Sequence, residues 1–314
     1  MPGTDFAADL SPSAEPVGGE VVNSVGLQRC GPMAVVTLSR PAAHNALSFG
    51  SWLRIAQVFD ELGDDRNLRA VVVRGAGERA FSAGANIDEF PELRMSAEAA
   101  FDYNAAISSA LEGVMGFELP TVAMVRGLAV GGGCELAAAC DLRIAATDAR
   151  FGIPIGRLGV TLGPSEARAL VRLVGPARLK DLLFTGRLVD ATEALAIGLV
   201  DRVVPVEELA AATAAVVSAI VSSAPTTIRA GKLAADTSGR PLSQHDEEVG
   251  EVHLAEHQAD RRHDDVLDKG IHDFGEGGAN DDGDCQVEHV AAHQEIAETL
   301  EHGWGLGVRG SGLG

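Results

Sequence analysis

Residues 120–141, Pro-Thr-Val-Ala-Met-Val-Arg-Gly-Leu-Ala-Val-Gly-Gly-Gly-Cys-Glu-Leu-Ala-Ala-Ala-Cys-Asp, constrain this chain more than any other stretch. Thr121 to Val125 has the residue types of a short buried strand. Gly131, Gly132 and Gly133 follow, and Cys134 to Cys140, rich in Ala and Leu without Gly or Pro, reads as a helix. A glycine triplet between a strand and a helix lets a backbone come close to another group. The unpaired N–H groups of the helix start and the positive end of its dipole face the same way. Such a place suits an anion, or an oxygen that gains charge during a reaction. Glu135 lies in the first turn of that helix. A plainer reading fits the same residues: a tight packing turn, with Glu135 there only to suit the helix dipole.

Strand-like and helix-like segments alternate around this stretch. Ala34 to Leu38 reads as a strand, 48–62 as an amphipathic helix, Ala70 to Val73 as a buried strand and 96–117 as a long helix. Leu142 to Ala146 reads as a strand, and 165–173 and 176–184 as helices parted by Gly175-Pro176. Thr192 to Ile197 reads as a short helix capped by Thr192, Leu199 to Val204 as a strand, and 206–223 as an Ala/Val-rich helix. The pattern is α/β, with core strands buried on both faces. After the Ala70–Val73 strand, Gly75-Ala-Gly-Glu-Arg-Ala formally matches a nucleotide-binding fingerprint. Ser82-Ala-Gly-Ala interrupts the helix that fingerprint needs, and no strand ending in an acid follows, so the match is rejected.

Composition divides the chain. Its formal net charge is −20, and residues 246–302 hold 18 Asp and Glu against 3 Lys and Arg. The acidity therefore belongs mostly to the C-terminal segment, and no nucleic-acid partner is expected. The expected organisation is a flexible arm over 1–20, a core over 21–205, a helical region over 206–256 and a disordered acidic tail over 257–314. Within the acidic segment His253 with His257, and His289 with His293, have the i, i+4 spacing of helical metal ligands. A solvated acidic segment explains them better, and no metal site is expected. No basic stretch followed by an apolar run opens the chain, and no apolar run reaches about 18 residues, so neither a signal peptide nor a membrane partner is expected. Cys134 and Cys140 read as buried thiols, which suits a reducing cytoplasm.

His44 is the one histidine ahead of residue 245, which disfavours a Ser–His–Asp or Cys–His arrangement. The acid–base groups near the glycine turn are carboxylates, with Glu135 the best placed. Asp141, leaving the same helix, reads as a structural residue bonded to local backbone.

Five pieces in order carry a resemblance: Arg40-Pro-Ala-Ala-His-Asn-Ala-Leu47, Phe81-Ser-Ala-Gly-Ala-Asn-Ile87, Gly131-Gly-Gly-Cys-Glu-Leu136, Cys140-Asp141 with Phe151-Gly152, and the stretch from Thr185 to Pro205. With these, residues 33–205 resemble the enoyl-CoA hydratase/isomerase (crotonase) superfamily. The resemblance implies a spiral of ββα repeats with a C-terminal helical region, assembled as a homotrimer or a dimer of trimers. It implies an acyl-CoA substrate and no separate cofactor, coenzyme A being part of the substrate. It places the thioester oxygen on the backbone N–H groups of Ala85 and Gly132, with Glu135 as the proton carrier. Ala83 and Ile87 fall where the family lines its adenine pocket, and Gly163 where it holds a water. Asn86 stands in place of the usual Asp.

Family hydratases use a second glutamate in a Phe-Gly-x-Pro-Glu stretch, and here Phe151-Gly-Ile-Pro is followed by Ile155. Water addition needs both an acid for the α-carbon and a base for the water. Ile155 therefore favours one-base isomerase chemistry over hydration. Glu166 replaces a family glycine and reads as an exposed residue at a helix start, or else as a substitute carboxylate. Hydration and double-bond movement both fit, and a non-catalytic acyl-CoA-binding or assembly protein is the alternative of another class.

Overall fold

The computed structural model describes residues 6–10 and 20–238. Its strands are β1 (Glu20–Val22), β2 (Val25–Cys30), β3 (Met33–Leu38), β4 (Ala70–Gly75), β5 (Ala80–Ser82), β6 (Thr121–Val125), β7 (Leu128–Val130), β8 (Leu142–Ala146), β9 (Arg150–Gly152), β10 (Val189–Asp190) and β11 (Arg202–Val204). Its helices are α1 (Phe6–Asp9), α2 (Phe49–Gly63), α3 (Phe90–Leu93), α4 (Ala97–Met115), α5 (Gly132–Ala139), α6 (Pro164–Thr185), α7 (Ala191–Ala196), α8 (Leu209–Ser222) and α9 (Pro225–Thr237).

Two sheets organise these elements. The larger runs β1-β2-β3-β4-β6-β8-β11 and is parallel from β3 onward. The smaller runs β10-β9-β7-β5, parallel except at β10–β9. A large-sheet strand, a short small-sheet strand and a helix recur as β4–β5–α4, β6–β7–α5 and β8–β9–α6. Before them, β3 leads to a single parallel bridge, Leu47 to Ala85, and then to α2. Each turn thus lays one strand beside the last in each sheet, the ββα spiral that the resemblance implies.

The continuous valines of β4 follow from burial on both faces. Val71 and Val73 point with Ala123, Val125 and Ala145 into a core shared with Trp52, Ile55 and Phe59 of α2 and Ile107 and Leu111 of α4. Ala70 and Val72 point the other way, with Val122, Met124 and Ile144, against Leu209, Val216 and Val217 of α8. Phe6 and Leu10 are buried in this second core. Residues 6–10 are therefore packed, which corrects the expectation of a flexible arm for that part of 1–20.

Several boundaries differ from the sequence reading. The cap of α7 is Asp190, whose carboxylate accepts from the Glu193 N–H at 2.9 Å, and not Thr192. An aspartate one residue ahead of Ala191 competes well for that place. The strand expected over Leu199–Val204 shortens to β11. The small sheet escaped the reading because β5, β7 and β9 are three residues each, too short for a period to show. Residues 1–5 and 11–19 of the arm, residues 239–256 of the helical region, the tail over 257–314 and the two histidine pairs lie outside the described residues. Among the described residues no single helix is long and apolar enough to cross a membrane.

Candidate active site

The small sheet positions the site, because the groups in question follow its strands. Ala85 comes after β5, Gly132 after β7 and Ile155 after β9. Gly131 caps α5 at φ 54°, ψ −126°, a conformation that favours glycine. At Gly132 the need is close approach: a Cβ there would lie 2.7 Å from Cζ2 of the buried Trp52 and 3.6 Å from the Ala85 nitrogen. Gly132 opens α5, so its N–H has no partner within the helix. At the Leu47–Ala85 bridge, Leu47 N–H donates to Gly84 O at 2.8 Å and Asn86 N–H donates to Leu47 O at 2.8 Å. Those two bonds use the edge facing Leu47 and turn the Ala85 N–H to the other edge, toward Gly132. Two backbone donors from separate turns of the spiral are thereby brought side by side.

Glu135, in the first turn of α5, is 5% exposed. Burial first, and the charge of Glu166 second, push its carboxyl up to about 8, and Arg94 opposes them. Arg94 is held by Asn104, whose Oδ1 accepts from Nη2 at 2.7 Å. Its guanidinium also lies over the Phe90 and Tyr103 rings, at 5.0 and 4.9 Å from their centroids. Glu166 is 4% exposed, and its Oε2 is buried without a hydrogen-bond partner. The reading of Glu166 as an exposed helix-start residue is corrected here. Ser165 beside it donates from Oγ to Glu112 Oε1 of α4 at 2.6 Å, which ties the start of α6 inward.

Ala83, Ala85, Ile87, Gly132, Glu135 and Ile155 all line one cleft of about 100 Å³, and Trp52, Arg94 and Glu166 share its wall. Ala83 and Ile87 are exposed, the latter at 53%. Ile155 is half-buried and packs against the core. Gly163 stands beside the cleft rather than in its wall, with the Glu166 carboxylate lying against it. Asn86, where the resemblance led to an Asp, is buried and donates from Nδ2 to Glu89 Oε1 at 3.0 Å. Trp52 and Arg94 gave no signal in the sequence, since they reach the cleft from α2 and from the bend after α3, which only the fold brings there.

A larger cleft of about 310 Å³ lies between β4, β5 and the start of α8. Its charged groups include Arg126 and Glu78, which pair with each other at 3.2 Å. The smaller cleft differs from it in holding two buried carboxylates, Glu135 and Glu166. Asp141 is structural, but its partners are distant in sequence. It accepts from the Thr121 N–H at 2.8 Å and from Lys232 Nζ of α9 at 2.7 Å. Among the described residues no group of three or more His, Cys, Asp or Glu could hold a metal ion.

With two convergent amides and two buried carboxylates in one cleft, the arrangement suits proton transfer beside a carbonyl whose oxygen becomes charged. A family model described as enoyl-CoA hydratase/isomerase matches residues 29–281, which extends beyond the described residues. A short-chain-enoyl-CoA hydratase of Clostridium acetobutylicum is 39% identical over 222 residues, 68% of this chain and 81% of that protein. A crotonyl-CoA hydratase of Syntrophomonas wolfei subsp. wolfei is 39% identical over 204 residues, 65% of this chain and 78% of that protein. Among solved structures, an enoyl-CoA hydratase/carnithine racemase from Magnetospirillum magneticum superposes with a TM-score of 0.73 at 34% identity, covering 82% of this chain and 93% of that one.

Proposed function

This chain belongs to the enoyl-CoA hydratase/isomerase family, and from that premise we propose that it moves protons on an enoyl-CoA through an enolate held by the Ala85 and Gly132 amides. The observation that carries the reading is the juxtaposition of those two N–H groups across the turn that also presents Glu135. A thioester oxygen between them meets two donors already oriented, so charge reaching it costs no reorganisation. A carboxyl titrating at about 8 can give a proton or take one near neutral pH. In double-bond transfer, Glu135 as carboxylate removes a C2 proton from a 3-enoyl-CoA, the electrons move onto the thioester oxygen, and the proton returns at C4. In hydration, water oxygen bonds to C3 while a proton is delivered to C2.

Coenzyme A enters as part of the substrate, and no separate cofactor is assigned. The exposed Ala83 and Ile87 at the cleft suit contacts with its adenine. A homotrimer or dimer of trimers fits the exposed apolar side chains Phe184, Leu188 and Leu195, which subunit contacts would cover. The buried free thiols Cys134 and Cys140 suit the cytoplasm.

The test is turnover of crotonyl-CoA and of a 3-enoyl-CoA by the wild type and by Glu135→Gln. The variant is expected to keep its affinity for butyryl-CoA, an unreactive analogue, and to lose turnover of both substrates by about 10²-fold or more. Undiminished turnover in that variant would remove Glu135 from the chemistry.

A further inference from the structure

We propose that Glu166 is the second catalytic carboxylate, so that this enzyme adds water across an enoyl-CoA double bond although its Ile155 can exchange no proton. The inference rests on the enolate reading of the cleft and adds one group to it. Glu166 opens α6 as Glu135 opens α5, and both side chains reach the same cleft. Its carboxylate is buried, and Oε2 faces no donor among the described residues. A buried carboxylate oxygen without a partner is costly unless something fills the place during function. At the third position of a helix a glutamate can fold back to bond the cap residue's N–H and serve structure alone. No such bond joins the Gly163 N–H to Glu166 among the described residues.

Gly163 explains how the carboxylate fits. A Cβ on residue 163 would lie 2.9 Å from Glu166 Oε1 and 3.0 Å from its Cδ, and closer still to Oε2. The absence of a side chain there leaves the room in which Glu166 lies. Ser165, bonded to Glu112 of α4, pins the same turn.

The chemistry then balances with one proton shared by two carboxyl groups. Like charges in one dry cleft disfavour double ionisation, and the burial of Glu135 beside Glu166 places the proton on Glu135. Glu166 accepts a proton from water as the water oxygen bonds to C3. The C2=C3 π electrons move through C2 and C1 onto the thioester oxygen, giving the enolate. The enolate collapses as C2 takes the proton of Glu135. Glu135 is left ionised and Glu166 protonated, and transfer of one proton from Glu166 to Glu135 restores the starting pair. No oxidant, metal or cofactor is consumed.

The experiment compares wild type, Glu166→Gln, Glu135→Gln and the double variant Glu166→Gln/Ile155→Glu. Hydration of crotonyl-CoA, isomerisation of a 3-enoyl-CoA and affinity for butyryl-CoA are measured for each. Glu166→Gln is expected to lose hydration by about 10²-fold or more, at least tenfold more than it loses isomerisation, with butyryl-CoA affinity kept. The double variant is expected to regain hydration, because a carboxylate at 155 re-enters the same cleft. Hydration by Glu166→Gln within a few-fold of wild type overturns the proposal, and so does an equal loss of both reactions, which marks a structural role. Wild-type isomerisation without hydration also overturns it and leaves the enolate reading standing. A wild type inert toward both substrates removes the enolate reading itself. Should Glu166→Gln fail to fold, Glu166→Asp gives the same comparison, with a selective loss of hydration expected from the shortened reach.

Discussion

Glu135 holds its proton to about 8 for a reason that stability measurements can read. Its folded pKa lies above the ordinary value, so between pH 4.5 and about 8 the native state binds more protons than the unfolded chain. Stability from this group is therefore fully present below about pH 4.5 and falls as pH rises through the window. Glutamine in its place carries no such penalty. Relative to wild type, Glu135→Gln is expected to gain stability as pH rises from 5 to 8, the gain at pH 8 being roughly 4 kcal/mol at most and that at pH 5 less than about 1 kcal/mol. Thermal melts of both proteins across that range provide the measurement, and a difference independent of pH would contradict it. Gly132 offers a second test at the same scale. Gly132→Ala adds the Cβ that crowds Trp52 but keeps the N–H, whereas Gly132→Pro removes the N–H at a position where proline suits a helix start. Crotonyl-CoA turnover in the proline variant is expected to fall about 10²-fold below that of the alanine variant. Equal activities would dismiss the Gly132 amide as a donor.

At the scale of elements, helix ends do most of the positioning. α5 and α6 both begin at the cleft, and Arg172 on α6 donates from Nη2 to Ala138, Ala139 and Cys140 carbonyls at 2.9 Å, satisfying the far end of α5. The run Pro164–Thr185 is two helices meeting at Gly175, whose φ of 71° and ψ of 167° are open almost only to glycine. The Gly175-Pro176 pair announces this break, since proline starts a helix well and continues one badly. A Cβ at Gly175 would meet nothing within 4 Å, so the cost of Gly175→Ala is conformational alone. The expected loss is about 1–3 kcal/mol, seen as a Tm lower by several degrees in differential scanning calorimetry. An unchanged Tm would mean that the segment relaxes without strain.

At the scale of the molecule, the body is held from both faces of one sheet. Met33, Val35, Val72 and Val122 meet α8, while Val36, Val71 and Val73 meet the core of α2 and α4. Lys232 of α9 reaches Leu119 O at 3.1 Å as well as Asp141, and so fastens the last described helix to the start of β6. A trimer or a dimer of trimers of 32.5 kDa chains is the expected assembly, and light scattering after size exclusion should return that mass. A monomeric mass at enzyme-assay concentrations, with activity retained, would show that the cleft works without neighbours.

What was legible in the sequence follows from local physics. The β6 run, the glycine turn and the α5 helix have their own periods and turn chemistry, so the Gly131–Gly133 turn and Glu135 could be named from residues 120–141, while the family's motif position singled out Gly132 within the turn. The motif order supplied Ala85, which by itself is an unremarkable residue in a loop. The small sheet was not legible, because three-residue strands carry no period and gain their pairing only from the spiral. The orientation of Glu166 was not legible either. A glutamate three residues into a helix is exposed by default, and only the packing of α6 on α4 and the bare backbone of Gly163 turn it inward. Whether the cleft holds one carboxylate or two is thus a tertiary outcome, since burial and juxtaposition belong to contacts between residues distant in the chain.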